Sequence, residues 1–377
     1  MKILIIAGNV RSAVANRADL IAAMRARGHQ VRIAVPAHDW TPAIERLGIP
    51  NDVFRLSRTG LSPLSDLKSI GALVRIMRRE RPDLVFSYNA KPVIYGAIAA
   101  RIAGVPSHYG MVTGLGYYRA GGGGLKLMVT RFIQERLYRI ATGLSRATIF
   151  QNRDDLETFR ANGLISPRDN AAVVNGSGIN LERFPVQPLP DGPPAFVMIS
   201  RLLASKGVEQ FVAAAEQLHR TGARAQFVLV GPHDPDLPGS LPVETIERWQ
   251  RGGVVEIVGG VDDVRPQLAR TSVFVLPSFY GEGTPRAVLE AMSCGRPIIT
   301  ADAPGCRETV VEGVNGWLVQ PRDVNSLAGA MQRFVENPSL AAAMGRESRR
   351  LAEERYDVHK VNRQMLDIMQ LAGPLGS

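Results

Sequence analysis

Short, almost unbroken apolar runs alternate along the chain with longer stretches whose apolar residues recur every three or four positions. The first run covers residues 2–7 and ends at Gly8 and Asn9. A helical pattern over 15–27 follows, and Gly28 closes it as a C-cap glycine does. Further runs lie at 31–35, 83–87, 108–112, 147–151 and 171–175, with helices predicted over 67–79 and 93–103. Residues 185–194 read PVQPLPDGPP, and five prolines with a glycine predict a stiff linker. The alternation then restarts, with strands expected at 195–200, 226–230, 254–258, 272–276 and 297–300 and a helix over 207–219.

Runs that are apolar throughout are strands covered on both faces, which in an alternating order means parallel sheets. The expected class is α/β, with two doubly wound, Rossmann-like domains facing a central cleft. Their predicted bounds are 1–184 for the first, 185–194 for the linker and 195–354 for the second. A C-terminal helix at about 355–372 is expected to pack back on the first domain. Ligands of such sheets sit outside the carboxyl ends of strands, where the strand order reverses.

Composition narrows this picture. With 377 residues and 45 % apolar content the chain can fill two cores. No uninterrupted apolar run reaches about eighteen residues, and the first strand lacks the flanks of a signal peptide. Two cysteines, Cys294 and Cys306, argue against a disulfide framework and suit a reducing cytosol. The last residues, 373–377, resemble a cloning scar. A formal charge of +10 leaves three partner classes open: nucleic acid, an anionic membrane and phosphorylated substrates.

The clearest chemical signal runs from Phe279 to Glu290. A buried strand ends, a glycine-bracketed loop follows, and Thr284 and Pro285 are expected as N-cap and first helical residue. The helix amino terminus should then present backbone N–H groups to a phosphate or sugar oxygen. Glu282 lies just ahead of that helix and Glu290 more than a turn inside it, so one can meet a sugar and the other a ribose. Arg201 and Lys206 follow the strand at 195–200. A planar fork and a mobile point charge there suit a diphosphate, whose negative charge grows as it leaves.

Taken in order, Arg201…Lys206-Gly207, Val230-Gly231, Leu276-Pro277-Ser278, Glu282…Glu290-Ala291 and Cys294-Gly295-Arg296-Pro297-Ile298 resemble glycosyltransferase family 4. Ser57-Arg58-Thr59-Gly60-Leu61, Val112-Thr113-Gly114-Leu115-Gly116 and Gly178-Ile179-Asn180 resemble the bacterial branch that extends undecaprenyl-diphosphate-linked saccharides, among them the bacillosaminyl-lipid N-acetylgalactosaminyltransferases. The resemblance covers nearly the whole chain. It implies the GT-B fold and retaining transfer of a sugar, an N-acetylhexosamine or hexose, from a UDP-sugar to a polyprenyl-diphosphate-linked saccharide. It implies no metal or other cofactor. Arg201 and Lys206 match the pair that holds the donor diphosphate. Glu282 matches the glutamate that approaches the donor sugar, and Glu290 the one that binds the ribose. Gly283, Thr284, Pro285 and Arg286 match the loop whose backbone meets sugar and phosphate. Gly231 and Val258 fall in the donor-binding segments, Val258 facing the nucleobase. Gly8 and Asn9 match the turn near donor phosphate and acceptor. Many members carry a histidine ahead of the Gly-Leu-Gly stretch. Here Thr113 stands in its place, and with Gly114 it can orient an oxygen but cannot act as a base at neutral pH.

Other signals are weaker. Asp234-Pro235-Asp236 lacks a supporting ligand set and reads as a turn, so no metal site is assigned. Gly121 to Gly124 does not join a strand to a helix and reads as a mobile loop beside the acceptor. His108 and His219 read as structural or exposed residues, and Cys294 as core. Basic residues cluster around Lys68 to Arg81 and around Lys126 to Arg139, the latter interleaved with Leu127, Met128, Phe132 and Ile133. Such helices suit an anionic membrane surface, and no nucleic-acid module accompanies them. The expected location is the cytoplasm, peripheral on the inner face of the cytoplasmic membrane. Two alternatives stay open at this point: a nucleotide-sugar epimerase of the same shape, and a catalytically silent membrane scaffold.

Overall fold

The structure is a computed structural model that describes residues 1–36, 44, 48–56, 63–115, 125–279 and 281–371. Ser57 to Leu61, Gly116, Gly121 to Gly124, Tyr280 and the tail 373–377 lie outside the described residues, as do the side chains of Lys126 and Leu127. The chain divides into two compact units: Met1–Gly178 with Val358–Ser377, and Ile179–Asp357.

Unit 1 contains β1 (Lys2–Ala7), α1 (Val10–Ala26), β2 (Gln30–Pro36), β3 (Asn51–Phe54), α2 (Pro63–Glu80), β4 (Leu84–Tyr88) and α3 (Ala90–Ala103). It continues with β5 (Ser107–Val112), α4 (Leu125–Leu144), β6 (Ala147–Phe150), α5 (Arg153–Ala161) and β7 (Ala171–Val173). Seven strands pair in the order β3-β2-β1-β4-β5-β6-β7, and the pairings are parallel. The order reverses between β1 and β4, where Ile5 faces Phe86 across the ladder. α1 starts at Val10, earlier than its apolar pattern, because the Asn9 side chain accepts the Ser12 N–H at 3.1 Å and caps it. The last helix of the chain, Val358–Ile368, belongs to this unit. Its Val361, Met365 and Leu366 share a buried cluster with Ile3, Ile5 and Leu20.

Unit 2 contains β8 (Ala195–Ile199), α6 (Val208–Arg220), β9 (Gln226–Val230), α7 (Val243–Gly252), β10 (Glu256–Gly259), α8 (Arg265–Ala269) and β11 (Val273–Leu276). α9 (Arg286–Ser293), β12 (Ile298–Ala301), β13 (Gly316–Val319), α10 (Val324–Glu336) and α11 (Ser339–Leu351) complete it, and the Val358–Ile368 helix of unit 1 is therefore α12. Its six strands run β10-β9-β8-β11-β12-β13, also parallel, with the reversal between β8 and β11. The proline-rich stretch 185–194 falls inside this unit, not between the two. The reason is Arg296, fully buried, which donates to the carbonyls of Gln187 at 3.0 Å and Pro188 at 2.8 Å. Backbone carbonyls that satisfy a buried guanidinium tie the stretch to β12's leading turn.

Candidate functional site

In unit 2 the chemistry gathers where the strand order reverses. β8 ends at Ile199, and the chain passes Arg201 into a short 3-10 turn, Ala204–Lys206. Gly207 closes that turn at φ 79°, and a Cβ there would lie 2.3 Å from the Pro277 carbonyl oxygen. Only glycine lets the β8 loop lie this close to the end of β11. The approach brings Lys206 to Glu282: its Nζ donates to Glu282 Oε1, and Ser278 Oγ donates to the same oxygen at 2.9 Å. Both ends of the ion pair are nearly enclosed, with side-chain exposures of 12 % and 13 %. Two charges removed this far from water interact strongly and lie together in one small volume. Arg201 has an exposed side chain and takes no part in this pair.

Glu290 sits in a separate arrangement one helix turn along α9. Arg286 Nε donates to its Oε1 at 2.9 Å. Burial pushes the Glu290 carboxyl above its ordinary value, and the Arg286 guanidinium pulls part of the way back, helped by Arg183. The cap of α9 differs from expectation. The helix begins at Arg286, Pro285 holds the cap position with ψ 115°, and Thr284 stands one residue ahead of it. Proline has no N–H to be satisfied and fixes φ, so it sets the helix start where a threonine hydroxyl was expected to do so. Gly231 is also required by geometry: at φ 154°, a Cβ would meet the Ser200 carbonyl oxygen at 1.6 Å. Its N–H donates to Gly259 at 2.8 Å, which joins the ends of β9 and β10. Val258 is half-buried on β10 and packs against the core.

In unit 1 the ends of β1, β4 and β5 carry a second polar group. Thr113 Oγ1 accepts a hydrogen bond from Asn89 Nδ2 at 2.8 Å. That leaves the threonine proton available for donation onward. Asn89, which the sequence reading did not single out, has φ 73° and ψ 157°, a costly conformation for a residue with a Cβ. Its Oδ1 is buried without a partner among the described residues. Gly8 lies against it, and a Cβ there would be 3.2 Å from Asn89 Oδ1 and from Pro92 Cγ. The only foreshadowing in the sequence is an asparagine at a strand end. Gly114 follows Thr113 at φ 106°. Asn9 is engaged as the cap of α1.

The remaining signals resolve as structural. Asp234 Oδ1 accepts the Asp236 N–H at 3.2 Å, which is a local turn. His108 lies between Ser145 Oγ at 2.8 Å and Ser87 Oγ at 3.1 Å, and burial lowers its pKa to about 3. Cys294 is buried, which pushes its thiol up to about 11.

The family described as Glycosyl transferases group 1 matches residues 193–337, and the Glycosyl transferase 4-like domain matches residues 13–176. The Campylobacter jejuni N,N'-diacetylbacillosaminyl-diphospho-undecaprenol alpha-1,3-N-acetylgalactosaminyltransferase is 30 % identical over 86 % of this chain and 86 % of its own. The chain belongs to glycosyltransferase family 4. The Escherichia coli UDP-Gal:alpha-D-GlcNAc-diphosphoundecaprenol alpha-1,3-galactosyltransferase is 26 % identical over 74 % of this chain and 73 % of its own. Among solved structures, Anabaena HepE in complex with UDP superposes with a TM-score of 0.76 at 21 % identity, over 98 % of this chain and all of that one. The lipopolysaccharide outer core galactosyltransferase WaaB in its apo form gives 0.70 at 19 %, over 98 % and 99 %. The fold is GT-B, and the protein is a glycosyltransferase. Neither the epimerase nor the silent-scaffold alternative finds support among these relatives.

Proposed function

We propose that this family 4 enzyme takes a sugar from a UDP-sugar and transfers it, with retention, to a polyprenyl-diphosphate-linked saccharide of bacterial glycan assembly, on a polysaccharide or a protein. One observation carries the donor half: the enclosed Lys206–Glu282 pair with Ser278, at the strand-order reversal of unit 2. Lys206 and Arg201 supply fixed positive charge to the departing diphosphate, so no metal is needed for that purpose. Glu282 orients the donor sugar, Glu290 accepts from the ribose hydroxyls, and the backbone of Gly283 to Arg286 meets sugar and phosphate. Gly231 and Val258 border the nucleoside. Gly8 and Asn9 lie near the donor phosphate and the acceptor, and Thr113 and Gly114 orient a donor or acceptor oxygen, Thr113 through its hydroxyl. The acceptor class is supported by the names of the two curated relatives, both of which act on diphospho-undecaprenol-linked sugars.

A lipid-linked acceptor keeps its diphosphate at the membrane, and unit 1 has a surface suited to meeting it there. Leu64 and Leu67 on α2 and Met128 and Phe132 on α4 are exposed, and both helices pack against α3. Arg131, Arg136 and Arg139 lie along α4, with Arg136 over the Phe132 ring at 4.9 Å. No helix among the described residues is long and apolar enough to cross a membrane. Each such arginine contributes about 1 kcal/mol near an anionic bilayer, which gives reversible, salt-sensitive attachment. The expected location is the inner face of the cytoplasmic membrane.

A transfer screen across UDP- and GDP-sugars, with a short lipid-diphosphate acceptor and excess EDTA, tests the reaction. Product from a UDP-sugar in EDTA is expected. Transfer that needs added manganese, or occurs only from a GDP-sugar, overturns that part. For the membrane contact, Arg131→Glu with Arg136→Glu and Arg139→Glu should weaken binding to anionic vesicles and slow transfer to a long-chain acceptor. Transfer to a water-soluble acceptor should hold, and equal loss on both overturns the assignment.

A further inference from the structure

A second segment, after β12, lies against the loop that carries Glu282. Thr300 Oγ1 donates to the Leu276 carbonyl at 2.6 Å, and Cys306 Sγ lies 3.8 Å from the Ser278 carbonyl oxygen. Between them Gly305, buried at φ 79°, faces the loop itself. A Cβ built on Gly305 would stand 2.3 Å from the Gly283 carbonyl oxygen and 2.4 Å from that of Glu282. Both neighbours are backbone, so no side chain can swing aside to make room.

We propose that Gly305 is a positioning residue for the donor loop, setting the Glu282 and Gly283 peptide planes by direct backbone contact. In a trans peptide the N–H points opposite to the carbonyl. With the Glu282 and Gly283 carbonyls turned onto Gly305, the N–H groups of Gly283 and Thr284 turn the other way. Under the proposed function, on which this inference rests, those groups meet the donor's sugar and phosphate oxygens while Glu282 meets the sugar. Gly305 acts through them and touches no substrate. A methyl group at 305 would drive the two carbonyls back by about 1 Å to reach ordinary contact. A displacement near that size at a positioned group costs about a hundredfold in rate.

The test compares Gly305→Ala with Gly313→Ala. Gly313 has nearly the same backbone, φ 73°, but its added Cβ would meet nothing nearer than the Trp317 ring at 3.7 Å. Both variants bear the left-handed backbone strain, and only one displaces the loop. Gly305→Ala should lose about a hundredfold in kcat, with UDP affinity changed less than threefold. Gly313→Ala should keep kcat within twofold. A Gly305→Ala enzyme with kcat within threefold of wild type, or one whose UDP affinity collapses in step with kcat, overturns the proposal. If Gly305→Ala does not fold, Cys306→Ala carries the test, since it removes the thiol contact without adding bulk. It should lower kcat severalfold with UDP binding intact, and an unchanged kcat overturns the brace. Glu282→Gln run alongside separates the two claims. Full turnover by that variant defeats the reading of the loop, whereas its loss beside an active Gly305→Ala enzyme defeats the brace alone.

Discussion

Replacing Lys206 with methionine keeps the length of the side chain and removes its charge, and the structure gives that change two separable consequences. The first is on stability. Glu282 would keep the Ser278 hydroxyl as a donor but lose its cation while its side chain stays 13 % exposed. Removing one partner of a fully buried pair costs about 3–5 kcal/mol, and the residual exposure here brings the expectation to about 2–4 kcal/mol. The second is on turnover. A cation lost from beside the leaving diphosphate costs about 2.7–4 kcal/mol, or roughly two to three orders of magnitude in kcat. Lys206→Met with Glu282→Gln resolves the two, because the neutral amide no longer needs a cation. The double variant should regain most of the unfolding free energy and none of the turnover. Urea unfolding and steady-state transfer, measured on the same preparations, check both. A Lys206→Met enzyme that turns over within threefold of wild type refutes the assignment, and so does a double variant that recovers activity.

Two further outcomes follow from the titrating groups. Glu290 is held above its ordinary value of 4.5 by burial, with Arg286 opposing. Its contribution to stability is present below that ordinary value and is lost as pH rises through the raised one. Ribose binding needs the anion and moves the other way, so the donor KM should fall as pH rises through the same range. Arg286→Gln should shift that limb to higher pH, and a limb that stays in place removes Glu290 from the donor site. His108 is buried neutral with its pKa near 3, against an ordinary 6.5. Stability should therefore decline as pH falls from about 6.5 toward 3, and His108→Asn should flatten that slope in pH-dependent urea unfolding. An unchanged slope places the acid sensitivity elsewhere.

Most of the strands that were legible in the sequence are buried on both faces, while β7 and β10, also expected, are only partly buried. Residues 84–88 and 273–276 are buried throughout, and such runs declare themselves as apolar stretches. β3 and β13 did not, because they are four-residue edge strands with only partial burial, and the apolar stretch of β13, Trp317 to Val319, is only a few residues long. α7 was equally silent: Ile246 is its one buried residue among the ten of Val243–Gly252. At the site, Lys206 and Glu282 could be named from spacing because each sits at the end of a recognisable strand. Asn89 could not, since its importance lies in a backbone angle and a contact with Thr113, which follows it by a whole helix and strand. Gly305 is hidden for the same reason: a missing side chain has meaning only once the two carbonyls facing it are known.

On the proposed reading, unit 2 holds a nucleoside diphosphate through Lys206 and Arg201. Isothermal titration with UDP, UMP and uridine, on wild type and on Lys206→Met, tests it most directly. Wild type should bind UDP at least tenfold more tightly than UMP and bind uridine weakest, and Lys206→Met should erase most of the UDP–UMP difference. Equal affinity for the three ligands, or an undiminished UDP–UMP difference in the variant, would contradict it.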